Sequence, residues 1–415
     1  MTQLEMQGLA AKNASRVLSI AGTAKKNAAL EAIASALEAR REEILAANQE
    51  DMTAAKAAGM RLSLQNRLAL DGSRIAGIVD GVRQVAALPD PIGEITKMST
   101  RPNGLVIGKR RVPLGVIGII YEARPNVTVD AAALCLKSGN AVILRGGKEA
   151  FHSNQAFVSI MRDALESAGL PRDCVALVTD TTRQSAAELM NLTEYLDVLI
   201  PRGGAGLIKN VVENAKVPVI QTGVGVCHVY VHGEADLDMA ARIIHNAKTS
   251  RPSVCNAAEC LLVDRAVARD FLPMAWQLLQ TKNVELRGCP ETRAILGDFV
   301  VPASEEDWDT EFGDYILAVK VVGGFDEAVE FIHAHGTGHS EAIVTNNYFA
   351  AQQFLDQVDA AAVYVNASTR FTDGNEFGLG AEIGISTQKM HARGPMGLEE
   401  LTSSKFVIYG TGQIR

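Results

Sequence analysis

The sequence predicts an α/β protein with two doubly wound parallel-sheet domains and a small oligomerisation extension. Three observations predict this fold class. The chain has 415 residues, beyond the size at which a single core usually stops growing. Its composition, 47% hydrophobic and 21% charged, is that of an ordered globular protein. From Leu114 onward, short apolar runs alternate with stretches of helical periodicity, which is typical of parallel strands covered by helices.

The N-terminal segment, from about Leu4 to Val85, is rich in Ala, Leu, Glu and Lys at helical spacing and predicts several long helices. A proline-bearing connector, residues 88–93, then leads to a predicted strand near Leu105–Arg111. We interpret this part of the chain as scaffold.

Two successive strand–helix alternations follow. The first predicts strands near residues 115–120, 141–144, 175–178 and 198–200, with helices near 127–137, 155–168, 183–190 and 205–215. The second predicts strands near residues 226–231, 261–263, 315–322, 342–345 and 361–365, with helices near 237–247 and 325–334. Such sheets bind ligands at the carboxyl ends of their strands.

Net charge, the N-terminus and cysteine usage exclude several classes. A formal charge of −8 and a pI near 5.6 argue against a nucleic-acid binder. The sequence has no basic-then-apolar leader and no uninterrupted apolar stretch long enough for a membrane span, so we expect a cytoplasmic protein without membrane partners. The six scattered cysteines predict reduced thiols.

Two glycine-rich turns follow predicted strands and precede predicted helices. They are Arg145-Gly146-Gly147-Lys148 and Arg202-Gly203-Gly204. Backbone N–H groups in such turns approach phosphate oxygens closely, so both turns suit a dinucleotide. Neither is a strict dinucleotide fingerprint, and glycines that only make room for packing are the alternative. Arg145 and Lys148 would also hold a ribose 2′-phosphate, which favours NADP (NADPH) over NAD.

Cys255 is the candidate nucleophile because it lies in a polar loop, whereas Cys260 begins an apolar run. The alternative is an inert core thiol. Asn126 follows the first strand of the sheet and could donate to an oxyanion together with the Cys255 backbone N–H. An N-cap role for Asn126 is the alternative, and it does not exclude the first.

A histidine-rich stretch brings His333, His335, His339 and Glu341 close together in sequence. Its spacing matches no recognised zinc site, so we expect no bound metal. His339, in a glycine-rich loop, is instead predicted to contact substrate.

The order of these segments resembles the aldehyde dehydrogenase superfamily, and most closely its γ-glutamyl phosphate reductase branch. The resemblance rests on Tyr121–Asn126, Val254–Asn256, Glu311–Gly313 and, most specifically, residues 322–344. It implies an aldehyde-dehydrogenase-like fold, a catalytic Cys255, and Glu311 and Phe312 as cofactor-binding residues. We expect an NADP-binding domain at residues 1–96 and 115–224, a catalytic domain at 225–388, and oligomerisation segments at 97–114 and 389–415.

The resemblance implies NADPH-dependent reduction of L-glutamyl 5-phosphate to L-glutamate 5-semialdehyde through a cysteine thioester, with release of phosphate, in proline biosynthesis. Hydrolytic members of the superfamily carry a general-base Glu where this chain has Gln221, which cannot take the proton. The acyl group would then exchange with phosphate instead of water. The alternative is that Gln221 is only a turn residue.

The acidic substrate needs basic or hydroxyl contacts, for which the candidates are Arg124, His339, Asn366, Ser368, Thr369 and Arg370. We also expect a homo-oligomer, with a dimer favoured, because the predicted C-terminal strand Lys405–Tyr409 lacks a local partner and could pair with another subunit. The resemblance further implies functional coupling to glutamate 5-kinase.

Three other functions stay open. The first is a superfamily enzyme that acts on a different aldehyde or on a coenzyme A thioester. The second is a thiol hydrolase that pairs Cys255 with His228, His245 or His339. The third is a non-catalytic regulatory relative.

Overall fold

The structure is a computed structural model that describes residues 1–415, apart from the side chain of Ser63. Its α-helices are α1 Gln3–Leu18, α2 Thr23–Ala39, α3 Arg41–Ala57, α4 Leu62–Leu68, α5 Gly72–Ala87, α6 Pro125–Lys137, α7 Phe151–Ser167, α8 Arg183–Met190, α9 Ala205–Asn214, α10 Leu237–Thr249, α11 Ala268–Leu279, α12 Pro290–Leu296, α13 Glu305–Trp308, α14 Phe325–His335 and α15 Tyr348–Gln357.

The strands alternate with these helices along most of the chain. They are β1 Ile95–Thr100, β2 Val106–Pro113, β3 Val116–Tyr121, β4 Ala141–Arg145, β5 Val175–Leu177, β6 Val198–Arg202, β7 Cys227–Val231, β8 Ala258–Asp264, β9 Glu285–Gly288, β10 Val301–Pro302, β11 Ile316–Val322, β12 Ser340–Val344, β13 Ala362–Val365, β14 Ile385–Ser386, β15 Gly394–Pro395 and β16 Thr402–Tyr409.

The chain divides into two compact units. Unit 1 comprises residues 1–222, 378–384 and 396–415, and unit 2 comprises residues 223–377 and 385–395. Several helices begin where a polar side chain accepts a backbone N–H. Thr2 and Glu5 form a capping box at α1, and Asp236 accepts from Met239 at α10.

Unit 1 contains a parallel sheet in the order β5-β4-β3-β6. Strand β3 is buried along its whole length, and β4 and β6 are buried except at their last residues. Helix α6 contacts β3 and β4. The last residues of β3, β4 and β6 therefore end at one edge of a buried sheet, as the doubly wound fold requires.

Unit 1 also contains a three-stranded antiparallel sheet in the order β1-β2-β16. The expectation that the strand near Lys405–Tyr409 lacks a partner in its own chain is wrong, because β16 pairs with β2 over eight residues. Phe406, Ile408 and Tyr409 remain exposed on this sheet. The sheet is the small extension predicted beside the two α/β domains.

Unit 2 contains a seven-stranded parallel sheet in the order β10-β9-β11-β8-β7-β12-β13. Its central strands β7, β8 and β12 are fully buried, and a single apolar core surrounds them. Cys255 lies in the turn between α10 and the start of β8.

The structure confirms the predicted fold class, with two parallel sheets in separate units. It adds elements that periodicity did not reveal: β1, β9, β10, β14, β15, α11, α12, α13 and α15. Among the described residues, no helix combines the length and apolar character needed to span a membrane.

Candidate active site

The two glycine turns of unit 1 begin at neighbouring strand ends. Arg145 pairs with Ile120 of β3, and Arg202 pairs with Tyr121 on the other side of the same strand. The two arginines therefore flank the end of β3, and the glycines that follow each of them lie at the same edge of the sheet. The structure brings the predicted cofactor-binding turns together within one unit.

Neighbouring side chains lie close to both glycines of the first turn. A Cβ atom at Gly146 would lie 2.2 Å from the side-chain nitrogen of Asn154, and one at Gly147 would lie 2.1 Å from Oε2 of Glu149. Both glycines are buried, so the absence of side chains here serves the close packing of the turn against its neighbours. Lys148, which follows it, is exposed.

Arg145 is held beside this turn. Its Nη2 donates to the carbonyl oxygens of Thr181 and Thr182, at 2.8 and 2.9 Å. Burial lowers the pKa of its guanidinium. Its buried Nε has no hydrogen-bond partner in the described part of the chain, and neither has the Nε of Arg202. Orphaned cationic donors beside glycine turns fit an anionic dinucleotide.

The helix that follows the second turn, α9, has the carboxylate of Glu122 at its N-terminus. Oε2 of Glu122 accepts a 2.9 Å hydrogen bond from the backbone N–H of Gly204, the residue before α9. A Cβ at Gly203 would lie 2.7 Å from the same oxygen. The N-terminus of α9 therefore binds a negatively charged group in this structure, as helix N-termini favour.

Asn126 lies inside helix α6 rather than at its cap. Arg124 occupies the N-cap position, and Asn126 is the second helical residue, so the N-cap alternative is wrong. Its Nδ2 donates to Asp130 at 2.9 Å. Burial raises the pKa of Asp130 to about 6, although Asn126 and Arg202 favour its ionised form. The amide of Asn126 is thus held in one orientation and keeps a second N–H.

In unit 2, the turn that carries Cys255 is fixed by contacts to its backbone. All six cysteines are free among the described residues, and Cys255 alone is half-buried while the other five are buried. Sγ of Cys227 donates to the carbonyl oxygen of Cys255 at 3.2 Å. A Cβ at Gly225 would lie 1.6 Å from that oxygen, so position 225 must be glycine.

Asn256 anchors the same turn to a second segment. Its Nδ2 donates to the carbonyl of Thr372 at 2.9 Å, and its own carbonyl accepts from the hydroxyl of Thr369 at 2.7 Å. The guanidinium of Arg370 donates to Oδ1 of Asn256. This network brings Arg370, a predicted substrate contact, to the residue that follows the thiol.

Two neighbouring arginines, Arg370 and Arg251, lie beside the Cys255 turn. Burial lowers the pKa of Arg370, and the neighbouring Arg251 lowers it further, whereas Asp373 and Cys255 act in the opposite direction. Nε of Arg370 donates to the hydroxyl of Ser250 at 3.1 Å. Arg251 is exposed. Sequence reasoning missed Arg251, although its place four residues before Cys255 could have indicated it.

The other predicted substrate contacts on this unit have structural partners. Asn366 exchanges side-chain hydrogen bonds with the backbone of Thr345, and the Ser368 hydroxyl accepts from the N–H of Arg370. His339 is fully buried, 2.9 Å from the hydroxyl of Ser340. Their contacts with substrate stay predictions, as does that of Arg124 in unit 1.

The histidines near residue 333 do not converge. His333 contacts the carbonyl of Gln357, and His335 contacts Asp309. Glu341 instead accepts from the ring Nδ1 of His228 at 2.9 Å, with both side chains buried. Burial lowers the pKa of the His228 imidazole, but the Glu341 carboxylate raises it, to about 10.

The Glu311-Phe312-Gly313 segment lies in unit 2, before β11. The guanidinium of Arg287 lies 5.0 Å above the centre of the Phe312 ring. The N–H of Gly313 donates to Oε1 of Glu259 at 3.1 Å. The first contact joins the segment to β9, and the second joins it to β8, the strand that follows the Cys255 turn.

Comparison with known proteins decides the family. A model of the aldehyde dehydrogenase family matches residues 3–293. The chain belongs to the aldehyde dehydrogenase family. Within this family, it is 61% identical over 413 residues to the γ-glutamyl phosphate reductase of Halothermothrix orenii, covering 100% of this chain and 99% of that protein.

Solved structures of the family agree with this assignment. The crystal structure of γ-glutamyl phosphate reductase from Thermotoga maritima superposes with a TM-score of 0.97 at 51% identity, covering 100% of both chains. An acetylating aldehyde dehydrogenase from Geobacillus thermoglucosidasius superposes with a TM-score of 0.71 at 18% identity, again covering 100% of both chains. The second similarity concerns the fold alone. Membership in the family implies a nicotinamide cofactor.

Proposed function

We propose that the protein reduces L-glutamyl 5-phosphate to L-glutamate 5-semialdehyde with release of phosphate, as a step of proline biosynthesis, using NADPH. The observation that carries this proposal is the 61% identity, over the whole chain, to a γ-glutamyl phosphate reductase. The half-buried thiol of Cys255, which interacts electrostatically with the guanidinium of Arg370, supports it, because an acyl phosphate is an anionic electrophile.

The residues of unit 1 fit a nicotinamide dinucleotide. We assign Gly146, Gly147, Gly203 and Gly204 to its phosphates, because these turns follow neighbouring parallel strands at one sheet edge, where backbone N–H groups bind phosphate oxygens. The exposed Lys148 and the half-buried Arg145 would hold the 2′-phosphate that distinguishes NADP from NAD. Glu311 and Phe312 are assigned to a ribose. When bound, the nicotinamide supplies a hydride.

The chemistry of the chain itself centres on Cys255. Its thiolate forms a carbon–sulfur bond to the acyl carbon while the carbon–oxygen bond to phosphate breaks, and phosphate leaves with the electron pair. For the oxyanion we propose the amide of Asn126 and the N–H of Cys255 as donors. Once that carbon is reduced, the carbon–sulfur bond breaks, the aldehyde leaves and the thiolate returns.

Gln221 explains why the acyl group would reach phosphate rather than water. An amide cannot accept a proton from water, so the thioester is not hydrolysed by a general base at this position. Arg251 and Arg370 are the groups we assign to the anionic parts of the substrate. The expected reverse reaction, oxidation of glutamate semialdehyde, therefore requires phosphate.

Phosphate dependence is the test of this function. NADP reduction by glutamate semialdehyde should require phosphate in the wild type and be absent in Cys255→Ala. Activity without phosphate would favour another aldehyde dehydrogenase, and activity with coenzyme A would favour a thioester enzyme. Failure to bind NADPH in a fluorescence titration would favour a thiol hydrolase.

We also propose that the protein forms a homodimer through the sheet that contains β16. Phe406, Ile408 and Tyr409 are 69, 60 and 59% exposed there, which is costly for a monomer in water. Phe406→Lys should shift the species observed by light scattering toward the monomer.

Coupling to glutamate 5-kinase is proposed because acyl phosphates hydrolyse readily, and a pull-down with that kinase tests it.

A further inference from the structure

A buried ion pair encloses the Cys255 turn in unit 2. Lys248 lies in the last turn of α10, before Cys255, and Glu259 lies in β8, after it. Nζ of Lys248 is 2.5 Å from Oε2 of Glu259, and the two side chains are 0 and 1% exposed. The ion pair therefore joins α10, which precedes the Cys255 turn, to β8, which follows it.

The same carboxylate reaches a third segment. Its other oxygen, Oε1, accepts the backbone N–H of Gly313 at 3.1 Å. Gly313 has a φ of +61° and directly follows Glu311 and Phe312. One buried side chain thus uses its two oxygens to join α10, β8 and the Glu311–Gly313 segment.

Burial opposes the charge on both partners of this pair. Burial raises the pKa of Glu259 to about 7 even though Lys248 and the Gly313 N–H favour its ionised form, and burial lowers the pKa of Lys248. Buried ion pairs are often no more stabilising than apolar side chains of the same volume. The pair lies between the thiol turn and the Glu311 segment. We therefore explain its presence by the placement of these two segments rather than by a contribution to the stability of the fold.

We propose that Lys248 and Glu259 are positioning residues, which hold the Glu311–Phe312 segment at a fixed place relative to the Cys255 turn. The inference rests on the proposed function, in which Glu311 contacts the cofactor ribose. Neither residue of the pair is assigned a contact with substrate or cofactor. Loss of the pair should therefore weaken NADPH binding more than it slows a saturated enzyme.

The choice of variants depends on the two groups that donate hydrogen bonds to the Glu259 carboxylate, the Lys248 ammonium and the Gly313 N–H. In Glu259→Gln, the side-chain amide must point its NH₂ at either the Lys248 ammonium or the Gly313 N–H, so one donor meets another. In the double variant with Lys248→Met, the ammonium is gone, and the Gln oxygen can accept from Gly313 while its NH₂ faces the thioether. The double variant should therefore recover what the single variant loses.

The experiment is a double-mutant cycle with Glu259→Gln, Lys248→Met and the double variant. Steady-state kinetics give KM and kcat for each protein, and thermal unfolding gives its melting temperature. Glu259→Gln should raise KM for NADPH by about tenfold, the effect of losing a hydrogen bond to a charged group, with kcat reduced by less than about threefold. The double variant should return KM to within about threefold of wild type. Lys26→Met, which removes a similarly buried ion pair to Asp90 in unit 1, is the stability control.

Two outcomes would overturn the inference. One is a double variant with a KM as high as that of Glu259→Gln. The other is an unchanged KM in every variant, with melting temperatures lowered as in Lys26→Met. Glu311→Ala in the same assay separates the two proposals: a raised KM there with normal Glu259→Gln kinetics rejects only the positioning role, whereas an unchanged KM in Glu311→Ala rejects the ribose assignment and the inference with it.

Discussion

The carboxylate of Glu122 accepts a 2.9 Å hydrogen bond from the backbone N–H of Gly204 at the start of α9. A dinucleotide phosphate at this helix N-terminus would have to displace that carboxylate and would be repelled by it. We expect Glu122→Gln to bind NADPH and NADH more tightly, each by about threefold, in fluorescence titrations. Glu213→Gln, near the other end of α9, gives the same charge change and should leave both affinities unchanged. Weaker binding in Glu122→Gln would mean that Glu122 itself contacts the cofactor.

Lys148 should discriminate between the two cofactors. Its exposed ammonium follows the Gly146-Gly147 turn, and only NADPH carries the 2′-phosphate that we assign to it. Lys148→Ala should raise KM for NADPH about tenfold and leave KM for NADH unchanged. Lys209→Ala, an exposed lysine of α9, is the matched control. Equal changes for both cofactors would show that Lys148 does not bind the 2′-phosphate.

Arg251 should act on the substrate rather than on the fold. It is exposed beside Arg370, so its removal leaves the hydrogen bonds from Arg370 to Asn256 and Ser250 in place. Arg251→Ala should raise KM for the acyl phosphate about tenfold without changing KM for NADPH, and Arg251→Lys should recover part of the loss. Arg265→Ala, an exposed arginine paired with Glu291, is the control. An unchanged KM for the acyl phosphate would remove Arg251 from the site.

Gly225 should be intolerant of a single methyl group. A Cβ there would lie 1.6 Å from the carbonyl oxygen of Cys255 and 3.0 Å from its Cα, so the thiol turn must move. Gly225→Ala should lower kcat by at least about tenfold, since small displacements of a nucleophile are costly. Gly77→Ala, with open space around its Cβ on α5, should keep full activity. A normal kcat in Gly225→Ala would show that the turn is not held by this contact.

The His228–Glu341 pair should make stability depend on pH. The pKa of His228 is raised from 6.5 to about 10 in the fold, so the stability it contributes is complete below pH 6.5 and is lost as the pH rises toward 10. Urea unfolding of wild type and Glu341→Gln should therefore differ most at pH 6 and least at pH 10. A difference that grew with pH would contradict an ionic pair.

Features that depend on local order along the chain were predictable from the sequence. Strand–helix alternation placed Gly146 and Gly203 at the carboxyl ends of parallel strands because the pattern itself encodes that topology. The polar setting of Cys255 separated it from Cys260, which the structure buries in β8. Both predictions used only residues adjacent in sequence.

Features that depend on distant pairing were not predictable. Strand β1 is exposed throughout, so it shows no alternation of apolar and polar residues, and its strand character comes from pairing with β2. Hydroxyl and amide groups in the predicted substrate loop serve to hold that loop, as Thr369 does with Asn256. The contact between Glu259 and Gly313 joins residues from separate elements. Sequence patterns contain no local sign of such contacts.

The burial of every cysteine except Cys255 has a practical consequence. In the native protein, an alkylating reagent should meet one accessible sulfur per chain, while the other five are shielded until the fold opens. The reagent consumed in the fast phase then counts folded chains, and the slow phase reports unfolding. Enzyme turnover can thus be expressed per reactive Cys255 thiol rather than per milligram of protein.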